Sequence, residues 1–500
     1  MDATLFITSS QGNHYIYDFL KRNLVPIHPL IEFFYKLDKE GRLDVLENQM
    51  PSNCESICQE FGKETVQYYL NKYLFLKTKG YFCQFEKPPF IQYTGEAIKQ
   101  SLANVSNIVF EVTNACNLAC KYCINREIYT AFPDAKKHLS FNAIKSVLDY
   151  LFSLWESGLN HSPCKEIIMG FYGGEPLTNF PVIKSTVEYC KQIKSSRPFK
   201  FTMTTNGTLL DLYMKFLVEN NFYLTFSLDG DKLGQSYRIF SNGDNSFEKV
   251  YTNLKLLQKE EPLFWENNVS FNSVLHNRND VDKIHEFIYK NFGKIPEIHP
   301  LNNSGVRPEK KEDFEEMFKP YATSLQQGAD GLMQERFMSD PRIFNLCQFL
   351  LWYDDNQFYD YPSFLYAPES IVQTKTGTCF PFSRKLYISA DEKILVCERI
   401  NHQYALGKVG NNGELSLNFE DIADIYNAYY SKLSQYCKNC YMINGCHQCI
   451  FQLDDLKSSS PICKMYKSEK QMSDYIKTYI DLLERNYINY EKIFKDSILN

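Results

Sequence analysis

The chain lacks the apolar run of roughly 18 residues that a membrane-spanning helix needs, so no such helix is expected. Its first residues, MDATLFITSSQGNHYIYDFLKRNL, hold no basic segment followed by an apolar stretch and a small-residue cleavage site. No secretory signal is therefore read there. A basic excess is also missing: Lys and Arg number 54 against 60 Asp and Glu, for a net charge of −6. Nucleic-acid binders usually carry the opposite bias, so that class is disfavoured as the main role. Internal repeats and low-complexity tracts are absent too. An apolar fraction of 44% and a charged fraction of 23% exclude a disordered or fibrous chain. Five hundred residues are too many for one hydrophobic core, and about 150 residues per domain suggests roughly three.

Aromatic residues and cysteine are abundant. Phe numbers 38 and Tyr 35, enough for large cores or aromatic clefts. Without a secretory signal the chain is expected in the reducing cytosol. Its 16 cysteines then do not read as a disulfide framework and point to metal or catalysis. Cys54, Cys58, Cys83, Cys164, Cys190 and Cys347 are scattered, and read as small buried hydrophobes, with Cys347 held open. The others fall in two groups, one at positions 116, 120 and 123 and one between 379 and 463.

Residues 1–100 read as a small separate unit. Leu5–Thr8 and His14–Tyr17 suit a hairpin, and Pro29–Leu37, Glu55–Phe61 and Lys63–Leu74 suit helices. A short strand pair is expected around Lys77–Phe82, which would make a winged-helix-like module. Its charge is mixed and no basic recognition face stands out, so DNA binding is discounted. From 104 to 303 strand and helix patterns alternate strictly, with strands at Asn107–Val112, Glu166–Tyr172, Phe199–Thr204, Tyr223–Leu228, Val269–Leu275 and Glu297–Leu301. Alternating units of this length imply an α/β fold with a parallel sheet, here a barrel or three-quarter barrel with its chemistry at the C-terminal strand ends. Residues 304–370 read as helical and irregular, 371–465 as cysteine-bearing short strands and loops, and 466–500 as a terminal helix packed on the body.

The first cysteine group, Cys116-x3-Cys120-x2-Cys123, follows the first strand. Four-iron clusters normally take four cysteines, so three close ligands would leave one iron free to bind something else. A zinc site could use three cysteines with a His or carboxylate, but only Asn114, Asn117 and Asn125 lie beside the loop. Later strand ends carry Gly173-Gly174-Glu175-Pro176, then Asn206-Gly207, then Ser227-Leu228-Asp229-Gly230. Paired glycines permit close approach of a ligand, and Glu175 could pair with a ligand ammonium. Each motif alone is a common turn, but their succession on one rim is a stronger signal.

These residues resemble the signature of the radical SAM superfamily over about 105–301, with Tyr122 as the aromatic before the last cysteine. The resemblance implies a partial (β/α)6 TIM-like barrel and a 4Fe–4S cluster on Cys116, Cys120 and Cys123. It implies that the open iron chelates S-adenosylmethionine, whose amine meets Gly173, Gly174 and Glu175. Asn206 and Ser227 match the ribose and carboxylate contacts, and Arg238 stands where relatives often hold the carboxylate. Reductive cleavage would then give a 5′-deoxyadenosyl radical that takes hydrogen from a substrate, the cofactor carrying the hard step.

The second group is Cys379, Cys397, Cys437, Cys440, Cys446, Cys449 and Cys463. It resembles the SPASM extension of peptide-modifying members, which implies two auxiliary 4Fe–4S clusters and three clusters in all. By that pattern Cys437, Cys440, Cys446 and Cys463 hold one, and Cys379, Cys397 and Cys449 the other, whose fourth position is Cys347 or open to substrate. The chain departs from the pattern in three places. Only His447 and Gln448 separate Cys446 from Cys449, Glu392 stands where a glycine is expected, and Gln373 where some relatives have a further cysteine. Structural zinc sites are the competing reading, since Cys-x2-Cys-x5-Cys-x2-Cys alone is zinc-like. The N-terminal module resembles, by arrangement, a RiPP recognition element, which binds a precursor leader by strand addition.

The resemblance therefore implies a peptide maturase that installs a thioether or carbon–carbon cross-link, served by a flavodoxin- or ferredoxin-type donor. A formylglycine-forming maturase of anaerobic sulfatases is the alternative in the same class. A non-catalytic electron carrier or zinc scaffold is the alternative of another class, but such a protein needs no amino-acid-ligand pocket. Asp354 and Asp355 are the only proton acceptors suggested, without support from a motif.

Overall fold

The computed structural model describes residues 1–21, 23–43, 55–84, 90, 92–130, 136–161, 166–193, 197–303, 305–320, 349, 376–410, 413–453, 455–459 and 461–485. Cys54, Cys164, Cys347, Gln373, Asp354, Asp355 and most of the 304–370 segment lie outside these residues. The chain divides into two compact units. One comprises 1–91, 345–377 and 430–500; the other comprises 92–344 and 378–429.

The first unit opens with β1 (Thr4–Thr8), β2 (His14–Asp18) and β3 (Asn23–Ile27), an antiparallel sheet in that order. The hairpin register runs from Thr4 opposite Asp18 to Thr8 opposite His14, as the alternation predicts. β3 was not expected, because Pro26 removes a donor and breaks the strand signature. Proline is tolerated where β3 stands, at the edge of the three strands among the described residues. Helices α1 (Pro29–Lys39), α2 (Glu55–Phe61) and α3 (Lys63–Thr78) follow. Leu30, Ile31, Phe34, Val66, Leu70 and Tyr73 bury one face each of α1 and α3, at about 1.5–3 kcal/mol per large apolar side chain. The expected strand pair at 77–82 does not form. α3 continues to Thr78, Lys79 closes it through N–H bonds to Phe75 and Leu76, and Phe82 turns the chain with a φ of +66°. Among its described residues the module is thus a three-stranded sheet followed by three helices.

In the second unit α4 (Gly95–Ala103), capped by Thr94, precedes β4 (Asn107–Thr113). Then come α5 (Phe141–Glu156), β5 (Ile167–Gly173), α6 (Phe180–Gln192), β6 (Phe199–Thr205), α7 (Leu210–Glu219), β7 (Tyr223–Ser227), α8 (Phe247–Glu260), α9 (Pro262–Asn268), β8 (Val269–Leu275), α10 (Val281–Phe292), β9 (Glu297–Pro300) and α11 (Lys311–Met317). Local chemistry sets the helix ends. The Asp280 carboxylate accepts from Lys283 N–H at 2.8 Å, and Gly293 ends α10 in the left-handed conformation. β4 to β9 are all parallel and lie side by side in chain order.

Strand alternation decides the two faces. Met169 and Phe171, Phe201 and Met203, Leu224 and Phe226, and Phe271 are buried, and their aromatic members pack on one another. The other face is polar and half-buried: Tyr172, Thr202, Thr204, Thr225, Ser227 and Asn272. The barrel is open, because the free side of β4 pairs not with β9 but with β10 (Leu386–Ile388), in parallel. β11 (Lys393–Leu395), β12 (Gly407–Val409) and β13 (Leu415–Leu417) extend the sheet antiparallel from there. The fold is the expected α/β partial barrel, with part of the cysteine-rich segment built onto its first strand.

The 371–463 segment also holds α12 (Phe419–Cys437), where short strands and loops were expected. Ile422, Tyr426, Tyr430 and Leu433 bury one stripe at helical spacing. Finally α13 (Glu469–Arg485) returns to the first unit. Its Asp481 accepts from Ser10 N–H at 2.7 Å and Ser10 Oγ at 2.6 Å, and Tyr15 donates to Glu484 at 2.7 Å. The terminal helix therefore packs on the N-terminal sheet.

Candidate active site

The three thiols of the first group sit on the loop leaving β4, at the C-terminal end of the parallel sheet. The loop is pinned from several sides. Thr113 Oγ1 accepts from Ala115 N–H at 3.0 Å, and Asn114 exchanges bonds with Lys137. Across the loop, Ala119 N–H reaches Ile239 O at 2.6 Å and Lys121 N–H reaches Tyr237 O at 3.0 Å. Leu118 N–H points at Cys116 Sγ at 3.3 Å, and Asn206 Nδ2 stands 3.8 Å from the same sulfur. Donors aimed at a sulfur favour its thiolate form.

Burial nevertheless dominates these thiols. It pushes Cys116 up to about 11, Cys120 up to about 12, and Cys123 upward as well. The thiols push one another further up, since charges at Cys116 and Cys123 both bear on Cys120. One buried and two partly buried thiols that resist ionisation alone suit a metal centre, whose positive charge deprotonates its ligands outright. Among the described residues no three His, Cys, Asp or Glu side chains converge on a single ion.

The Gly-Gly-Glu-Pro turn closes β5 beside this loop. Gly173 has a φ of +143°, and a Cβ there would meet Thr113 O at 1.9 Å. A Cβ on Gly174 would stand 2.3 Å from Ala115 O. The backbone that approaches both glycines is therefore the root of the cysteine loop itself. Gly174 N–H bonds to Thr113 O and Glu175 N–H to Ala115 O, both at 2.9 Å. Glu175 is fully buried. Its carboxylate accepts from Thr205 Oγ1 and Asn206 N–H at 2.8 Å and from Leu177 N–H at 3.2 Å. Burial still pushes it up to about 7, against the pull of those donors.

The other predicted residues are distributed as follows. Asn206 Oδ1 accepts from Thr208, and its Nδ2 donates to Asn117 Oδ1 at 2.9 Å, so it ties β6 to the cysteine loop. Ser227 ends β7 in register with Asn272, on the polar face of the sheet. Tyr122 is buried, with its hydroxyl donating to Asp229 and its ring against Tyr237 and His276. Arg238 forms a two-pronged pair with the same Asp229, Nε to Oδ2 at 3.0 Å and Nη2 to Oδ1 at 3.1 Å. Sequence reasoning passed over Asp229 as part of an Asp-Gly turn. The available signal was that an acid stands nine residues before Arg238 at a strand end.

Cys397 follows β11, with Arg399 N–H 3.3 Å from its sulfur, and burial pushes its thiol up to about 11. Beside it Glu398 pairs with Lys385 at 2.7 Å, within electrostatic reach of Tyr172 on β5. Cys379 belongs to the same unit as Cys397. Cys449 belongs to the other unit, together with Cys437, Cys440, Cys446 and Cys463. Within that unit Cys437 ends α12, and Cys440, Cys446 and Cys463 lie within electrostatic reach of one another. Glu392, where a glycine was expected, has a φ of +63°. That is the left-handed backbone that glycine adopts freely.

Residues 110–288 match the model of the Radical SAM superfamily. The chain is similar to a cysteine-type anaerobic sulfatase-maturating enzyme of Clostridium novyi (strain NT), 27% identical over 266 residues, which are 50% of this chain and 66% of that protein. It is also similar to the radical SAM cyclopropyl synthase TigE of Paramaledivibacter caminithermalis, 26% identical over 219 residues, 41% of this chain and 43% of that one. The chain thus spans less than two thirds of the length of these curated relatives. Among solved structures, native anSMEcpe with bound AdoMet has a TM-score of 0.48 at 18% identity, covering 77% of this chain and 98% of that one. Residues 110–288 of this chain are a radical SAM domain, the enzyme module that works through S-adenosylmethionine and a 4Fe–4S cluster.

Proposed function

We propose that the chain is a peptide maturase acting on a ribosomally made precursor, in which it installs a thioether or carbon–carbon cross-link. The observation that carries this reading is the N-terminal module, a three-stranded sheet ending in β3 and followed by three helices. An edge strand offers unpaired backbone groups to which an extended leader peptide can add. Cys116, Cys120 and Cys123 would hold the core cluster. With S-adenosylmethionine and an electron from a flavodoxin- or ferredoxin-type donor, it would supply a 5′-deoxyadenosyl radical.

The protein's own residues do the rest. The glycine pair holds the cysteine loop against β5, and Gly173, Gly174 and Glu175 would receive the methionyl amine. Asn206, Ser227 and Arg238 would line the remaining cofactor contacts. The polar face of β5 to β8 would receive the peptide, and the aromatic packing around Tyr122 would keep water from the cluster side. The second cysteine group would hold two auxiliary clusters, one on Cys437, Cys440, Cys446 and Cys463, the other on Cys379, Cys397 and Cys449. No described helix is long and apolar enough to cross a membrane, and we place the protein in the cytosol.

The likeness to a sulfatase-maturating enzyme supports a second reading, oxidation of a sulfatase Cys or Ser to formylglycine. Anaerobic incubation with S-adenosylmethionine and dithionite tests the shared step, and 5′-deoxyadenosine is the expected product. Cys116→Ala abolishes it; full activity in that variant defeats the core assignment. Binding of a precursor leader to the intact protein favours the first reading. Turnover of a sulfatase peptide without leader binding favours the second.

A further inference from the structure

The acid passed over in the sequence stands at the centre of a closed network. Asp229 follows β7 and has no exposed surface. Its carboxylate accepts from four donors: both prongs of Arg238, the Tyr122 hydroxyl, and Val274 N–H at 2.9 Å. Each side-chain partner touches the cysteine loop. Tyr122 belongs to it, lying between Cys120 and Cys123. Arg238 lies between Tyr237 and Ile239, whose carbonyls accept from Lys121 and Ala119 of that loop. Its guanidinium stands 5.5 Å from the centre of the Tyr122 ring.

The cation is therefore fixed from two sides, by the flanking carbonyls of Tyr237 and Ile239 on the cysteine loop and by its side chain on Asp229. Its charge is felt at the thiols: burial raises Cys120 and Cys123, and Arg238 pulls both back down. His276 is a further titratable neighbour, with Nε2 3.8 Å from Asp229 and 3.0 Å from Gly234 O. Burial keeps its pKa below the ordinary value, so it adds no full charge at neutral pH. The charges bearing on the thiols are then Arg238 with the Asp229 carboxylate that offsets it, Arg126 at Cys123 and Glu175 at Cys116. A buried ion pair contributes little net stability against an apolar substitute, so stability alone does not account for its place.

We propose that Asp229 is a positioning residue that sets the reduction potential of the core cluster, by aiming Arg238 and Tyr122 at the cysteine loop and offsetting the Arg238 charge. A positive charge near a cluster favours its reduced form, and the second shell of a metal centre tunes its potential in this way. With its charge offset, Arg238 leaves the cluster a stronger reductant than it would be beside a bare guanidinium.

The inference rests on the cluster assigned to Cys116, Cys120 and Cys123. Its test is a redox titration of the reconstituted whole chain without S-adenosylmethionine, following the EPR signal that S-adenosylmethionine changes in the wild type. Asp229→Asn, which keeps shape and removes charge, shifts the midpoint of that signal to more positive potential. Arg238→Gln shifts it to more negative potential, and the double variant returns close to wild type. Tyr122→Phe removes one donor to the carboxylate, keeps the ring, and gives a smaller negative shift. It carries the test if Asp229→Asn fails to load iron. Unmoved midpoints in cluster-loaded variants, or shifts of one sign in both charge variants, overturn the role of Asp229. Wild-type protein with no signal sensitive to S-adenosylmethionine overturns the cluster assignment instead.

Discussion

At the scale of single residues, Glu175 is the position where sequence and structure say different things about the same side chain. The motif implies a partner for the methionyl amine. The geometry adds three donors of the protein's own, which join the end of β5 to β6. Its carboxyl is raised by burial from near 4.5 to about 7. The folded chain therefore holds a proton that the unfolded chain releases in that window. The linked stability is fully present below about pH 4.5 and is lost as pH rises towards 7, amounting to about 3 kcal/mol at 1.36 kcal/mol per pKa unit. Denaturant midpoints of cluster-loaded protein without S-adenosylmethionine should fall between pH 5 and pH 7.5. Glu175→Gln, which cannot titrate, should flatten that decline; an equal slope in the variant excludes Glu175 as its source. Asp229 shows the other limit of residue-level reading. Its type and spacing were visible, but no spacing rule links it to a tyrosine 107 positions earlier.

Elements were legible wherever periodicity was long and regular. Strand Val269–Leu275 and helix Glu55–Phe61 match their expected limits, because their periodicity is a local property. β3 was missed because Pro26 hides a strand that survives at a sheet edge. α12 was missed because the cysteines around it drew the reading towards loops. The junction between β5 and the cysteine loop depends on atoms too close for any side chain. Gly174→Ala would force a Cβ to within 2.3 Å of Ala115 O and 2.8 Å of Asn114 O, distances that require the backbone to move. The variant should lose the signal sensitive to S-adenosylmethionine and keep the other iron. A retained signal would show that the loop can shift without releasing its cluster.

For the whole molecule the division into units matters. The N-terminal module shares a unit with α13 and with Cys437, Cys440, Cys446, Cys449 and Cys463. Cys379 and Cys397 share the other unit with the barrel. The three proposed four-iron clusters would give about twelve irons per chain. Iron analysis after anaerobic reconstitution should return that figure, and a result of four or fewer would remove both auxiliary clusters.

The barrel, the cysteine trio and the strand-end motifs followed from sequence alone. They are written in short-range patterns: alternation of two, helical spacing, and thiols a few positions apart. The tertiary structure decided which groups at separate strand ends meet. It joined β10 to β4 across more than 270 positions, seated Ala390 N–H on Glu111 at 2.8 Å, and closed Asp229, Arg238 and Tyr122 into one network. Such contacts arise only when the sheet brings remote segments together. Their energies come from burial and hydrogen bonding across the fold, which no local pattern encodes.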